Sequence, residues 1–278
     1  SESVFESQLR PERLDDFVNQ ERVKENLLIS IQAALKRGES LDHVLLYGPP
    51  GLGKTTLAYI IANELGKKLT WVTGPAIEKP YDLAGLLTRL DEGDVLFIDE
   101  IHRLNRAVEE YLYPALEDYK IDIMIDSGPN ARSVTLSLKH FTLVGATTRI
   151  GLLSEPLRAR FELVFRLDYY KPDALAKIIE VDSFKLGINI TDDAKILLAR
   201  RARGTPRIAI RLLKRVRDFA QVKNLDTIDK DIVEEALEKL GIDSSGLTEI
   251  DRKLLSTIVD KFSGGPVGLN TIASAISE

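Results

Sequence analysis

The amino-acid sequence predicts an α/β fold with a parallel sheet, followed by an all-helical region. Short apolar runs alternate with helical patterns as far as residue 168, and strands that alternate with helices form parallel sheets covered on both faces. After Tyr170 the strand signal stops and helical periodicity continues alone. The chain has 278 residues, which is enough for two or more domains.

Each element follows from its own pattern. Residues 20–37 predict an amphipathic helix whose apolar face comprises Val23, Leu27, Leu28, Ile31, Ala34 and Leu35. Strands are predicted at 43–47, Leu69–Thr73, Val95–Ile98, Phe141–Gly145 and Leu163–Leu167, and helices at Lys54–Leu65 and Ala107–Glu117. Further helices are predicted at 172–186, 191–203, 206–222, 229–239, 249–262 and from Val267 onward.

Residues 121–138 follow a different pattern. They alternate with period two around a Ser-Gly-Pro-Asn turn and predict a β-hairpin, with Ile121, Ile123 and Ile125 on one face. We expect the hairpin to pack on its own sheet. Domain boundaries are expected near 168–171 and 242–247, which gives three domains at 1–168, 169–243 and 244–278.

Composition and charge exclude several classes of protein. Without cysteine, the chain can form neither a disulfide framework nor a zinc–thiolate site. Its apolar runs are too short to span a bilayer, and its first residues lack a signal core, so we expect a cytoplasmic protein. The net charge is −5, so any contact with nucleic acid needs a local basic patch.

The strongest motif is a glycine-rich turn between a predicted strand and a predicted helix. It fits G-x-x-x-x-G-K-[ST] at every position, and the nucleotide-binding residues it implies are Gly48, Pro49, Pro50, Gly51, Leu52, Gly53, Lys54, Thr55 and the adjoining Thr56. Glycines allow backbone N–H groups to face a phosphate. Lys54 supplies a cation to the β- and γ-phosphates, and the Thr55 hydroxyl is a Mg²⁺ ligand.

A second motif is the apolar strand 95–98, which ends in two carboxylates. Asp99 is placed to hold the hydration shell of Mg²⁺, and Glu100 is placed to orient and polarise the attacking water. Alone, two acids at a strand end would indicate a solvated terminus. Together with the phosphate loop they predict ATP hydrolysis, and the absence of an Asn-Lys-x-Asp run disfavours GTP.

Further motifs carry a resemblance to a known family. A resemblance to the AAA+ superfamily is carried by four segments: Leu9-Arg10-Pro11, Leu14–Gln20, Asp42–Leu46 and Asp99–Leu104. Within that superfamily the chain resembles the RuvB family, at Gly145–Arg149, Pro156–Phe161 and Gly204–Ala209. The resemblance runs from about Leu9 to the last residue. It implies an AAA+ P-loop domain, an all-α lid and an incomplete winged-helix domain, so we expect weak, salt-sensitive binding to duplex DNA.

The resemblance also implies roles for individual residues. Thr148 corresponds to a sensor near the γ-phosphate and Glu100, Arg160 to an arginine finger that acts on the neighbouring subunit, and Arg207 to a sensor arginine of the lid. The other nucleotide-binding positions implied are Leu9, Arg10, Tyr170 and, as a weaker match, Glu117, Asp118 and Tyr119. A guanidinium can neutralise the charge that spreads over the γ-phosphate during transfer.

Plainer interpretations stay open for several of these residues. Arg160 and Arg207 lie among other arginines and could form exposed salt bridges. Thr148 could be an ordinary strand-end threonine. Residues 200–217 hold eight basic residues and no acidic one, which fits either a DNA- or partner-binding face or a solvated helix. Asn19 and Glu162 occupy positions where the family pattern has glycine, and a positive φ is more tolerable for asparagine.

The resemblance implies a function and its partners. It implies a DNA motor that promotes branch migration of Holliday junctions in recombination and DNA repair, using ATP and Mg²⁺ in a homo-oligomeric ring, a hexamer on DNA. The hairpin at 121–138 would project from the motor domain and bind RuvA, and RuvC would act indirectly. The alternatives are a clamp-loader-type switch and a protein remodeller. The missing cysteine beside Arg160 disfavours the first, and the sequence shows no convincing aromatic pore loop for the second.

Overall fold

The computed structural model describes residues 9–124 and 133–276. The predicted Ser-Gly-Pro-Asn turn and Ile125 therefore lie outside the described residues. The chain divides into two compact units between Asp168 and Tyr169. Each unit is described by itself.

The first unit is built on a five-stranded parallel sheet. The strands of this unit in the described residues are β1 (Val44–Tyr47), β2 (Leu69–Thr73), β3 (Val95–Asp99), β4 (Lys120–Met124), β5 (Ser133–Ser137), β6 (Thr142–Thr147) and β7 (Leu163–Arg166). Strands β4 and β5 form a separate pair, and the other five form the sheet. The sheet order is β2-β3-β6-β1-β7, which confirms the predicted parallel sheet. Strands β3 and β6 are apolar along most of their length because helices cover both faces of the sheet.

Five helices surround this sheet within the described residues. They are α1 (Glu21–Arg37), α2 (Lys54–Leu65), α3 (Pro80–Leu87), α4 (Arg106–Glu117) and α5 (Glu155–Arg158). The two short helices, α3 and α5, were not predicted, and both have proline in the first turn, where its missing N–H costs nothing. The apolar stripe of α1 is narrower than predicted, since Leu28 is 37% exposed and Leu35 is 52% exposed.

The predicted hairpin is present in its described strands. Strands β4 and β5 pair antiparallel, with Ile121 opposite Leu136 and Ile123 opposite Val134. Ile121 is buried in the core of the first unit, and Ile123 and Leu136 pack against that core. The base of the hairpin therefore packs on its own domain as expected, while Val134 remains exposed.

The two departures from the glycine pattern behave differently. Asn19 adopts φ 67°, a left-handed conformation that asparagine tolerates better than most residues. Gln20 follows at φ 62°, and its side-chain amide forms two hydrogen bonds with the backbone of Asp168. Glu162 is not among the residues with positive φ, so a glutamate there carries no backbone strain.

The second unit is helical. Its helices are α6 (Pro172–Lys185), α7 (Asp192–Arg201), α8 (Pro206–Val222), α9 (Lys230–Lys239), α10 (Glu249–Phe262) and α11 (Leu269–Ile276). The expectation that strands stop after Tyr170 is wrong at one point, because β8 (Asn189–Ile190) and β9 (Thr227–Ile228) pair in parallel. Two-residue strands are too short to give a periodic signal. No helix of the described residues has the length and apolarity that crossing a membrane requires.

Helix α6 contains a buried carboxyl group. Asp182 is 3% exposed, its Oδ2 has no hydrogen-bond partner in the part of the chain that the structure describes, and burial raises its pKa to about 7. The unfolded chain loses this proton near pH 4, whereas the folded second unit keeps it until about pH 7. The folded state is therefore favoured at low pH, and this contribution is lost as the pH rises from 4 to 7.

We predict that Asp182→Asn raises the stability of the second unit at pH 8. Ionisation of Asp182 lowers the free energy of unfolding by about 4 kcal/mol at most between pH 4 and 8. Asparagine does not ionise, so this loss of stability should be absent in the variant. Hydrogen exchange of the α6 amides, measured from pH 5 to pH 8 and corrected for intrinsic rates, checks the prediction. Asp173→Asn, at an exposed position of the same helix, is the control. An unchanged pH dependence in Asp182→Asn would contradict it.

Candidate functional site

The phosphate loop connects the end of β1 to the start of α2. The Gly48 N–H donates to the Thr147 carbonyl (3.2 Å), which joins the loop to β6. Gly48 has φ 146°, and a Cβ atom there would lie 2.4 Å from the Leu167 carbonyl oxygen, so only glycine fits. The Lys54 ammonium group is buried and donates to the carbonyls of Gly48 (2.8 Å) and Pro49 (2.7 Å). A cation is thus held inside the loop.

The sheet order brings three groups of predicted site residues to one edge. In a parallel sheet the carboxyl ends of all strands lie together. Strand β6 lies between β1 and β3, so the phosphate loop, Thr148 and the acid pair at 99–100 follow three neighbouring strands, each about 4.8 Å from the next. This edge is where open α/β sheets bind ligands.

The two acids at the end of β3 are held differently. Asp99 Oδ1 accepts a hydrogen bond from the Glu100 N–H (2.9 Å). Glu100 adopts a left-handed backbone conformation at φ 50°, which is costly for a glutamate and frequent at functional sites. Its carboxylate pairs with Arg103 at 3.0 Å, with both side chains about half exposed. Such an exposed pair is weak enough to be exchanged for other partners.

The two threonines that end β6 are in different environments. Thr147 is buried, its hydroxyl lies 2.8 Å from His102 Nδ1, and it accepts from the Arg149 N–H (2.9 Å). Thr148 is exposed at the same edge of the sheet. Thr147 therefore fixes the end of the strand, and Thr148 is the threonine accessible to a ligand. His102 was not singled out from the sequence; its burial lowers its pKa, as do the charges of Arg149 and Arg103.

The N-terminal described segment lies along α2. Leu9 is buried, and the Arg10 guanidinium stacks 4.9 Å from the centroid of the Tyr59 ring. Further on, the Leu14 N–H donates to Glu64 (3.0 Å). Because α2 begins at the phosphate loop, the contact with Tyr59 fixes Arg10 on the helix that leads out of this loop.

Arg160 lies at the amino ends of the parallel strands, whereas the phosphate loop of its own chain lies at their carboxyl ends. It precedes β7, whereas the loop follows β1, and the two parallel strands are each four residues long. This length corresponds to about 13 Å. Its guanidinium lies 3.0 Å from Glu117 and 4.1 Å from the centroid of the Tyr113 ring.

The weakest predicted nucleotide contacts lie at this same end of the sheet. Glu117 pairs with Arg160, and Asp118 is exposed at the end of α4. The ring of Tyr119 contacts His140 (4.3 Å between centroids) and Phe141 (5.7 Å). Glu117 is therefore brought to Arg160, and Asp118 and Tyr119 follow it directly in the chain.

In the second unit, two predicted site residues lie close in the fold. The Tyr170 N–H donates to the Gly204 carbonyl (2.8 Å). Gly204 has φ 73°, and a Cβ atom there would lie 2.9 Å from Tyr169 Cβ. Arg207 is the second residue of α8 and is exposed. The turn at Gly204 thus ties Tyr170 to the helix start that carries Arg207.

The basic run at 200–217 is only partly neutralised. Arg203 pairs with Asp251 at 3.1 Å, and Arg215 and Arg217 both pair with Asp218. Arg207 and Arg211 are exposed on α8. The structure therefore leaves both interpretations of this face open.

The residues at the nucleotide edge fit a magnesium ion that is bound together with a triphosphate. Residues 9–124 and 133–276 contain no group of three or more His, Cys, Asp or Glu side chains that could hold a metal alone. A Mg²⁺ ion in a phosphate loop does not require one, because it takes most of its ligands from phosphate and water oxygens. One hydroxyl and one carboxylate are therefore the ligands that we expect the protein to supply.

Comparisons with known families agree over the whole described chain. The model for the RuvB Holliday junction DNA helicase P-loop domain matches residues 9–167. The models for the RuvB AAA lid domain and the RuvB C-terminal winged-helix domain match residues 170–243 and 244–278.

Individual relatives are similarly close. The Holliday junction branch migration complex subunit RuvB of Flavobacterium psychrophilum is 61% identical over 274 residues, which covers 99% of this chain and 81% of the relative. The corresponding subunit of Salinibacter ruber is 56% identical over 278 residues, with 100% and 81% coverage. The solved Thermotoga maritima RuvB branch migration motor has a TM-score of 0.88 at 52% identity, covering 97% of this chain and 86% of that one.

Proposed function

This chain belongs to the RuvB family of AAA+ ATPases, and from that premise we propose that it drives branch migration of Holliday junctions by hydrolysing ATP. The observation that carries the proposal is the convergence of the phosphate loop, the 99–100 acids and Thr148 at one edge of the sheet. The family matches over residues 9–167 and 170–278 extend it to both units.

The chain's own residues can perform the hydrolysis. The N–H groups of the phosphate loop and the Lys54 ammonium bind the β- and γ-phosphates. Glu100 exchanges its exposed partner Arg103 for the attacking water, which it orients and polarises. Thr148 donates a hydrogen bond near the γ-phosphate. Phosphoryl transfer needs mainly positioning and charge stabilisation, and these groups supply both.

The Thr55 hydroxyl and the Asp99 carboxylate would hold Mg²⁺. When bound, the ion neutralises charge on the β- and γ-phosphate oxygens. Asp99 lies at the end of β3 with Oδ1 turned to the Glu100 N–H. The chemistry of this donor set suits a hard, oxygen-binding cation.

Arg160 acts on the ATP of a neighbouring subunit. Its separation from its own phosphate loop, by about the length of a four-residue strand, exceeds what one arginine side chain can span. Glu117 pairs with Arg160, and Glu117, Asp118 and Tyr119 would together complete the surface that meets the neighbour's nucleotide. Such an arrangement requires a ring of identical subunits, which we propose to be a hexamer on DNA.

The second unit reports the state of the nucleotide. We assign residues 169–243 to a lid and 244–278 to winged-helix sequence, after a motor domain at 1–168. Leu9 and Arg10 bind the adenine side, and Tyr170 and Arg207 contact the nucleotide from the lid. Because Arg207 reaches the γ-phosphate from a separate unit, hydrolysis can be converted into a movement of the lid.

RuvA is the proposed partner of the hairpin formed by β4 and β5, and RuvC would be engaged only through the junction. Val134 is an exposed apolar residue on this hairpin, and an apolar side chain on an edge strand suits a protein contact.

We predict that Val134→Asp weakens RuvA binding by about tenfold or more, since it places a charge in an apolar contact. ATP turnover without RuvA should stay unchanged. Titration of labelled RuvA by fluorescence anisotropy measures the affinity. Ser137→Asp, exposed at the base of the same hairpin, is the control. Equal RuvA affinity for wild type and Val134→Asp would remove this assignment.

The function itself is tested with a synthetic four-way junction carrying a fluorophore and a quencher on separate arms. ATP, the chain and RuvA together should separate the arms, and the junction with RuvA should raise the ATPase rate. A sliding clamp or an unfolded protein should not raise it. Stimulation by the clamp would favour a clamp-loader-type switch, and stimulation by the unfolded protein would favour a remodeller.

A further inference from the structure

Arg160 contacts two side chains of a three-residue stripe on α4. Glu109, Tyr113 and Glu117 are spaced four residues apart and therefore share one face of the helix. Arg160 Cζ lies 4.1 Å from the centroid of the Tyr113 ring, at the distance of a cation–π contact. Its Nη2 lies 3.0 Å from Glu117 Oε1. The guanidinium is thus held over the ring and tethered at one corner.

Tyr113 is itself fixed in place. Its hydroxyl donates to Glu109 Oε1 (2.6 Å), and the Ser154 hydroxyl bonds to the same oxygen. Ser154 Oγ in turn accepts from the Leu157 N–H (3.3 Å) and caps α5. Burial and the hydrogen bond to Glu109 raise the pKa of Tyr113, so the phenol keeps its proton. The network locks α4 to the helix that immediately precedes Arg160.

The guanidinium head has little freedom within this network. The Arg160 side chain is 19% exposed, and Nη1 donates to the Pro156 carbonyl (2.6 Å). Its Nε is buried and has no hydrogen-bond partner among the described residues, so the burial of this N–H group is not compensated by a hydrogen bond there. Ordering a free arginine side chain costs conformational entropy. A prebuilt platform removes that cost from the step in which the arginine meets a phosphate.

We propose that Tyr113 and Glu109 are positioning residues for the arginine finger. The Tyr113 ring supports the guanidinium of Arg160, and Glu109 fixes the ring. This inference rests on the proposed role of Arg160 in the neighbouring active site. The sequence offered only the four-residue spacing on a predicted helix, which many structural residues share.

Three substitutions test the platform in the full chain. Tyr113→Leu removes the ring and should lower kcat about 10²-fold, the usual cost of a misplaced group. Tyr113→Phe keeps the ring and Glu109→Gln keeps the shape, so each should lower kcat only about fivefold, the effect of one hydrogen bond. KM for ATP should change less than about twofold, because ground-state binding is not touched.

Matched controls come from the same helix. Tyr111→Phe removes a hydroxyl from a tyrosine that packs on the core, and Glu110→Gln breaks an exposed pair with Arg106. Both should keep the wild-type kcat. A kcat for Tyr113→Leu equal to that of Tyr111→Phe would overturn the inference.

Mixed rings separate positioning from a general loss of structure. Lys54→Ala subunits have an intact finger, and Tyr113→Leu subunits have an intact nucleotide site. In a mixed ring the finger of a Lys54→Ala subunit faces the site of a Tyr113→Leu neighbour, so turnover per Tyr113→Leu subunit should rise at least about tenfold. Mixing with Arg160→Ala subunits should give no rise. A misfolded variant would not be rescued, and failure of this rescue would overturn the inference. If Arg160→Ala itself cannot be rescued by Lys54→Ala subunits, the proposed trans role fails and the platform with it.

Discussion

Replacing Lys54 with Ala should abolish ATP turnover, and replacing Glu100 with Gln should lower kcat about 10³-fold while ATP still binds. The two changes remove different contributions. Lys54 is buried inside the phosphate loop, 2.7–2.8 Å from two loop carbonyls. Its loss therefore removes the cation that binds the phosphates. The described hydrogen bonds and ion pairs of Glu100 do not include the phosphate loop, so the Glu100→Gln variant should still bind ATP.

The measurements are phosphate release and equilibrium binding of a fluorescent ATP analogue, done on both variants. Lys36→Ala and Glu25→Gln, exposed on α1, are the matched controls and should behave as wild type. Thermal unfolding followed by circular dichroism checks that Lys54→Ala folds, since it also loses two hydrogen bonds inside the loop. Undiminished phosphate release by either variant would contradict the assignment of this edge as the ATPase site.

Arg160→Ala should lower kcat by about 10³- to 10⁵-fold with little change in ATP affinity, the range known for arginine fingers. The finger stabilises charge that develops only in the transition state, so ground-state binding does not depend on it. Arg160→Lys should recover little, because an ammonium cannot reproduce the planar stack on Tyr113 or the pair with Glu117.

A mixing series measures whether Arg160 acts in trans. Arg160→Ala subunits have intact nucleotide sites but no finger, and Lys54→Ala subunits have intact fingers but a defective nucleotide site. Each preparation alone should therefore be far less active than wild type. Mixed rings should regain activity that peaks near equal proportions. Arg158→Ala, exposed two residues before the finger, serves as the control. If turnover stays at the sum of the two separate preparations for every ratio, Arg160 does not act on a neighbour.

The sequence predicted the elements of the motor well because their signals are local. Buried parallel strands appear as short apolar runs, and the glycine-rich turn needs a strand before it and a helix after it. The predicted bounds of α2 and β2 agree with the structure. The pairs β8–β9 and the short helices α3 and α5 were missed, since a few residues cannot show a period.

The sequence by itself determined the chemistry: which residues can cradle a triphosphate, carry a metal and polarise a water. Only the tertiary structure decided where they meet. Strand order cannot be read from chain order, and the placement of β6 between β1 and β3 brings Thr148 beside the acids. In the same way, Glu117 and Tyr113 lie beside Arg160 because α4 and α5 pack together. Contacts between residues distant in the sequence depend on packing, and local patterns do not specify packing.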